Sequence, residues 1–124
     1  MNVGIIGTGM MGSQIALRLA QKGHGITVFN RDRSKSEKLR KSGLTVAEQP
    51  SEIGHYCDVA LICVKDYEAV SDVSFEKNGL IENPNNDLIV LQCSTISPDE
   101  SNKVADIYSS KGIKMVSVPI VGGV

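Results

Sequence analysis

Hydrophobic positions along this chain switch between short continuous runs and sparse helical spacings. Residues 2–6 (NVGII) form an apolar run that stops at glycine, and 26–30 (ITVFN), 44–47 (LTVA), 58–64 (DVALICV), 88–93 (LIVLQC) and 113–119 (IKMVSVP) are five more. Runs of this length between turn residues predict strands, and the unbroken 58–64 run predicts one buried on both faces. Over 10–22, Met11, Ile15, Ala16, Leu19 and Ala20 recur at helical spacing, with Gly23 as the expected stop. Residues 33–42 are charged with Leu39 inward, which predicts a surface helix. Its start is either a cap at Asp32 or a capping box from Ser34 to Glu37.

Pro50-Ser51-Glu52 opens one or two helical turns, and 66–73 reads as another short helix. Ser97, Pro98 and Glu100 combine a cap, a first-turn proline and a box-closing carboxylate. That helix is expected to reach about Ser110 and to end at Gly112. The segment 75–87 is rich in Asn, Gly and Pro and is expected as a loop too polar for the core. Strand and helix alternate throughout. The pattern predicts an α/β fold, a Rossmann-type doubly wound parallel sheet of order 3-2-1-4-5-6, with 1–124 as one dinucleotide-binding domain.

Composition narrows the class. The 124 residues are 41% hydrophobic and 22% charged, ordinary for a globular domain. A net charge of -1 provides no basic field for nucleic acid or an anionic membrane surface. No apolar run reaches the length of a membrane span, and no cationic stretch precedes the first run as in a secretion signal. Cys57, Cys63 and Cys93 are odd in number and form no C-x-x-C. They are expected as buried thiols in a reducing, cytoplasmic setting, not as a disulfide framework or zinc site.

The candidate chemistry begins at Gly7-Thr8-Gly9-Met10-Met11-Gly12, a G-x-G-x-x-G between a predicted strand and helix. Gly7 permits the tight turn, Gly9 lets a pyrophosphate approach the backbone, and Gly12 lets helix and strand pack closely. Free amides around Met10 and Met11 then face the phosphates. The second strand ends at Asn30-Arg31, where an NAD site often has an acid for the ribose hydroxyls. Asn30 removes the repulsion that a carboxylate would exert on a 2′-phosphate. Arg31 offers a fork of donors, and Arg33 and Lys35 add positive charge. NADP is therefore the expected cofactor, with NAD second; the alternative is a solvated basic turn.

Three more stretches fall at carboxyl ends of strands: Val64-Lys65-Asp66, Ser94-Thr95-Ile96-Ser97-Pro98, and Pro119-Ile120-Val121-Gly122-Gly123. With IIGTGMMG and VFNR they resemble the β-hydroxyacid dehydrogenase family, which includes 3-hydroxyisobutyrate dehydrogenases and is related to 6-phosphogluconate dehydrogenase. The resemblance covers nearly the whole chain. STISP is similar to the family's D-x-S-T-x-x-P, and VPIVGG to its D-A-P-V-S-G-G.

The resemblance implies roles at matching positions. Gly7, Thr8, Gly9, Met10, Met11 and Gly12 would hold the phosphates, and Asn30 and Arg31 the adenosine end. Val64, Lys65 and Thr95 would lie along the cofactor. Ser94, Gly122 and Gly123 would meet a small carboxylate substrate. Gln92, Cys93, Ser117, Val118 and Val121 depart from the family pattern. Val121 stands where a substrate-touching serine is usual. That is either a neutral packing change or the mark of an unusual substrate, such as an imine.

The family's general acid is a lysine on a later helix, and no residue here matches it. His24, in the turn before the second strand, and His55, near the third, are expected as surface histidines. Lys65 is a poor acid–base group if exposed. The expected function is the cofactor half of an oxidoreductase moving a hydride between NADP(H) and a small hydroxyacid or its keto or semialdehyde form. An imine or carbonyl reductase domain, or a non-catalytic nucleotide-binding module, are the alternatives. The family's helical C-terminal domain is expected to lie outside this chain. Dimerisation is expected only with that domain.

Overall fold

The computed structural model describes residues 1–118. In chain order its elements are β1 (Asn2–Ile6), α1 (Met10–Gln21), β2 (Gly25–Phe29), α2 (Arg33–Arg40), β3 (Thr45–Val46), α3 (Pro50–Tyr56), β4 (Val59–Ile62), α4 (Tyr67–Phe75), β5 (Ile89–Gln92), α5 (Pro98–Ser110) and β6 (Lys114–Ser117). The six strands form one parallel sheet in the order β3-β2-β1-β4-β5-β6, as the alternation predicts. Every predicted element is present, with ends moved by at most two residues.

Side chains alternate across the sheet, and each face has its own core. On one face Ile6, Ile62 and Val90 pack with Ile53 of α3, Val70 and Val73 of α4, and Val104 and Tyr108 of α5. On the other, Val3, Ile5, Ile26 and Val28 pack with Ala16 of α1 and Leu39 of α2. The fully buried part of the second core stops at β1, with Leu61 of β4 packed half-buried against it. On that same face of β4 and β5, Val59, Leu61 and Leu91 are half-buried and Ile89 is exposed. The expectation that 58–64 is buried on both faces therefore holds for one face only. Val116 on β6 is also exposed, as suits an edge strand.

One open alternative is decided and one further expectation changes. Asp32, not Ser34, caps α2: its Oδ1 accepts from the Ser34 amide at 3.1 Å and the Ser34 hydroxyl at 2.7 Å. The 75–87 loop also reaches the core, because Leu80 is fully buried. Left-handed backbone at Asn78 and Asn83 folds the segment back, and the Leu80 amide donates to Val73 O at 2.9 Å. One buried leucine repays such a turn, at about 1.5–3 kcal/mol.

The α5 start matches its prediction in full. The Ser97 hydroxyl accepts from the Glu100 amide at 3.1 Å, and Glu100 Oε1 accepts from the Ser97 amide at 2.9 Å. Ser97→Ala removes one half of this box and is expected to cost about 1 kcal/mol. A thermal melt should fall by roughly 4 °C; an unchanged midpoint would mean that the box contributes nothing.

Candidate cofactor site

Strand order decides where a ligand can lie. β1 is flanked by β2 on one side and β4 on the other, so the chain crosses the sheet between β3 and β4. Open α/β sheets bind ligands at the carboxyl ends of strands beside such a switch point. Here that position holds a cleft of about 510 Å³, lined by Ile6, Gly7 and Gly9, by Phe29 to Asp32, by Lys35, by Cys63 to Lys65, and by Ala69 and Val73 of α4.

The glycine turn is fixed by contacts that exclude a side chain. Gly7 has φ +99°, and a Cβ there would lie 2.1 Å from Cys63 O. A Cβ on Gly12 would lie 1.9 Å from Gly7 O. Gly9 differs: a Cβ there would meet nothing within 4 Å, so protein packing does not require this glycine. The space above it is open. Gly9 is also the N-cap of α1, with no side-chain cap and no acidic residue in the first turn. Met10 and Met11 are exposed at this end. Thr8 is 4% exposed, and its Oγ1 is buried with no hydrogen-bond partner among the described residues. An uncapped helix start, open space over one glycine and an orphaned hydroxyl beside it fit a pyrophosphate group.

At the end of β2, the Asn30 side chain is tied to backbone. Its Oδ1 accepts from the Thr8 amide at 3.1 Å, and its Nδ2 donates to Asp32 O at 2.9 Å. Asn30 thus locks the glycine turn to β2 rather than standing free for a ligand. Arg31 Nη2 lies 2.5 Å from Asp72 Oδ2 on α4, pairing the two sides of the cleft. Lys35 lines both this cleft and a neighbouring one with Thr8, Gly9, Met10, Ser13 and Lys38. Arg33 does not line the main cleft. It lies 3.4 Å from Glu37 and 3.2 Å from Glu48, while Lys35 and Lys38 line the neighbouring cleft. Asp32 is an exposed carboxylate in the lining, held below the ordinary range by its bond from the Ser34 hydroxyl.

The turns after β4 and β5 are bound together. The Val64 amide donates to Ser94 Oγ at 2.8 Å, and that hydroxyl donates to Ile62 O at 3.3 Å. Gln92, 3% exposed, grips the Ser94 backbone at both ends: Oε1 accepts from the Ser94 amide at 2.6 Å and Nε2 donates to Ser94 O at 3.1 Å. The Ser94 proton is therefore spent inside the protein, which leaves the hydroxyl as an acceptor and not as a donor to a carboxylate. Thr95 is exposed and has no side-chain hydrogen bond among the described residues. Lys65 is exposed in the cleft lining.

Gly122 and Gly123, expected at the substrate, lie outside the described residues, as do Pro119 and Val121. His24 is half-buried in the turn before β2, and His55 is exposed on α3 with Nδ1 3.2 Å from Asn83 O. Neither lines the cleft. The sequence reading missed Gln92 and Asp72. Gln92 carried a visible sign, a polar residue at an inward position of a strand. Asp72 carried one too, an acid beside Ala69 and Val73 on one helix face.

Fold and site together define a Rossmann-type dinucleotide-binding domain. Residues 2–124 match the family model for the NAD binding domain of 6-phosphogluconate dehydrogenase, and the chain belongs to that family. It is 34% identical over 122 residues to the uncharacterized oxidoreductase YfjR of Bacillus subtilis (strain 168), covering 98% of this chain and 43% of that protein. It is 31% identical over 122 residues to glyoxylate/succinic semialdehyde reductase 1 of Arabidopsis thaliana, covering 98% of this chain and 42% of that enzyme. Psf3, solved in complex with NADP+ and 2-OPP, superposes with a TM-score of 0.89 at 30% identity, covering 98% of this chain and 43% of Psf3. The chain thus spans less than half the length of these relatives. Among the described residues, no helix is long and apolar enough to cross a membrane.

Proposed function

We propose that this chain is the cofactor half of an NADP-dependent oxidoreductase. The enzyme moves a hydride between NADP(H) and a small hydroxyacid or its keto or semialdehyde form. One observation carries the cofactor choice: the end of β2 offers Asn30 instead of a carboxylate, with Arg31 and Lys35 lining the same cleft. Arg31 and Lys35 would take the 2′-phosphate. The Thr8 hydroxyl and the amides of Met10 and Met11 would take the pyrophosphate. Val64 and Lys65 would lie along the cofactor, and Thr95 at its nicotinamide end. When bound, the nicotinamide supplies the hydride chemistry. The protein's own part here is to orient it, with Gln92 and Ser94 fixing the turns on which it rests. A small carboxylate substrate would sit beside Ser94 but take its hydrogen bonds from the Gly122-Gly123 segment, since the Ser94 proton is used within the protein. The proton donor would come from the part of the protein that matches the rest of its relatives' length.

The test is a titration of the purified protein with NADPH and NADH, followed by cofactor fluorescence. A charge-assisted bond to phosphate is worth about 1.5–3 kcal/mol, so NADPH should bind tighter by about tenfold or more. Equal affinities, or a preference for NADH, would overturn the NADP assignment. Assay of the longer protein with hydroxyacids, semialdehydes and cyclic imines separates the proposed reaction from imine reduction; turnover of imines alone would favour the alternative suggested by Val121.

A further inference from the structure

Cys63 and Cys93 were expected as buried core thiols. The structure buries only Cys57 in that way. Cys63 and Cys93 directly follow β4 and β5, and the ladder aligns the residues before them, Ile62 with Gln92. It runs on one step further, because the Cys93 amide donates to Ile62 O at 2.8 Å. The cysteines are therefore opposite one another at the next register position. In a parallel pair, residues opposite one another point to the same face. That face is the half-covered one: Leu61 and Leu91, two residues earlier, are half-buried, and so are Cys63 and Cys93.

Neighbouring strands are about 4.8 Å apart. A disulfide requires Cα atoms about 4.4–6.8 Å apart, so the backbone already has the spacing. The pair stands at the strand ends, where the ladder gives way to turns and a small adjustment is least opposed. The two thiols influence one another's titration: the neighbouring Cys63 thiol lowers the Cys93 thiol below its usual range, and Cys93 with burial raises that of Cys63. Cys93 Sγ is also 3.8 Å from Leu91 O.

We propose that Cys63 and Cys93 form a reversible disulfide when the protein meets hydrogen peroxide, and that this bridge sits under the cofactor cleft as a modification site. The Cys93 thiolate attacks one peroxide oxygen, the O–O bond breaks, and the departing oxygen leaves as water after taking a proton. Cys93 is then a sulfenic acid. The Cys63 sulfur attacks the Cys93 sulfur and expels hydroxide, which takes up the Cys63 proton. Two thiols and one peroxide give one disulfide and two waters; sulfur is oxidised and peroxide reduced. The bridge falls one residue before Val64 and Ser94, whose mutual hydrogen bond ties the two cofactor-side turns. A bridge favours a Cα separation of about 5.5–6 Å, slightly wider than the strand spacing, so the strand ends spread and that bond shifts. This consequence, unlike the bridge itself, rests on the cofactor reading above.

The experiment treats the reduced protein with hydrogen peroxide, then counts thiols under denaturing conditions and maps the bridge by mass spectrometry. The thiol count should fall from the three cysteines of the sequence to Cys57 alone. The mass should drop by two hydrogens, the bridge should map to Cys63 and Cys93, and dithiothreitol should reverse it. In Cys63→Ser, a dimedone-type reagent should trap the Cys93 sulfenic acid. In Cys93→Ser it should trap nothing. Three persisting thiols, a gain of oxygen without a bridge, or a bridge between two chains would overturn the proposal; trapping on Cys63 would overturn the order of attack. NADPH affinity is the separate readout, expected to change by about threefold or more on oxidation and to recover on reduction. An unchanged affinity with the bridge in place would overturn only its link to the cofactor.

Discussion

Gly9→Ala is expected to abolish cofactor binding while leaving the fold intact, whereas Gly7→Ala damages both. At Gly9 a Cβ meets nothing within 4 Å, and the residue has φ -69° and ψ -171°, which alanine adopts freely. Alanine is a poorer N-cap than glycine by a fraction of a kcal/mol. It also lowers unfolded-chain entropy, which offsets about 0.4–1 kcal/mol in the other direction. The net change in stability should stay within about 1 kcal/mol. The methyl group nevertheless occupies the open space at the uncapped start of α1, where the pyrophosphate would lie. At Gly7 the backbone is left-handed, costing about 1–2 kcal/mol for alanine. The Cβ also meets a backbone oxygen at 2.1 Å, and carbonyls cannot swing aside as side chains do. Such overpacking costs about 1–3 kcal/mol more. Together they should lower the melting midpoint by roughly 10 °C or more. The decisive comparison is a melt and an NADPH titration on each variant. Retained binding in a stable Gly9→Ala protein would mean that no pyrophosphate approaches this turn.

The same contrast shows what the sequence could reveal. Strand runs, the glycine motif and the Ser97-Pro98-Glu100 start are local patterns, and each became the element it predicted. Leu80 was hidden because its burial depends on left-handed Asn78 and Asn83 turning a polar stretch back on the core. The site was legible where backbone position alone mattered, as at Gly7 and Gly12. It was not legible where side chains chose partners distant in sequence. Arg33 was read into the basic cluster from its neighbours alone; the fold also sets it 3.2 Å from Glu48, brought beside it by β3, an exposed pair no stronger than Arg31–Asp72. Asn30 was read as the absence of an acid. In the fold it is also the bond that holds Thr8. Ser94 was read as a substrate donor, but its proton answers Ile62 across the sheet.

Arg31 presents the largest effect expected on cofactor choice, and Asp72 sets how large it is. The pair has side-chain exposures of 71% and 32%, so solvent screens it, and such a pair is worth about 0–1 kcal/mol. A 2′-phosphate held by the guanidinium gains about 1.5–3 kcal/mol. Phosphate therefore wins the arginine, and Asp72 only taxes the exchange. Arg31→Ala should weaken NADPH by roughly 10- to 100-fold. NADH loses only a contact of the arginine with the adenine face, about 0.5–1 kcal/mol or a few-fold. Asp72→Asn should tighten NADPH by up to about fivefold, since the tax is at most about 1 kcal/mol, and should leave NADH unchanged. The gain should shrink at high salt, where the pair is already screened. The double variant separates two ways in which Asp72 can act. If it acts by holding Arg31, Arg31→Ala with Asp72→Asn binds NADPH no better than Arg31→Ala alone. If NADPH still tightens in the double variant, the Asp72 charge repels the phosphate directly, and the ion pair across the cleft is not what sets selectivity.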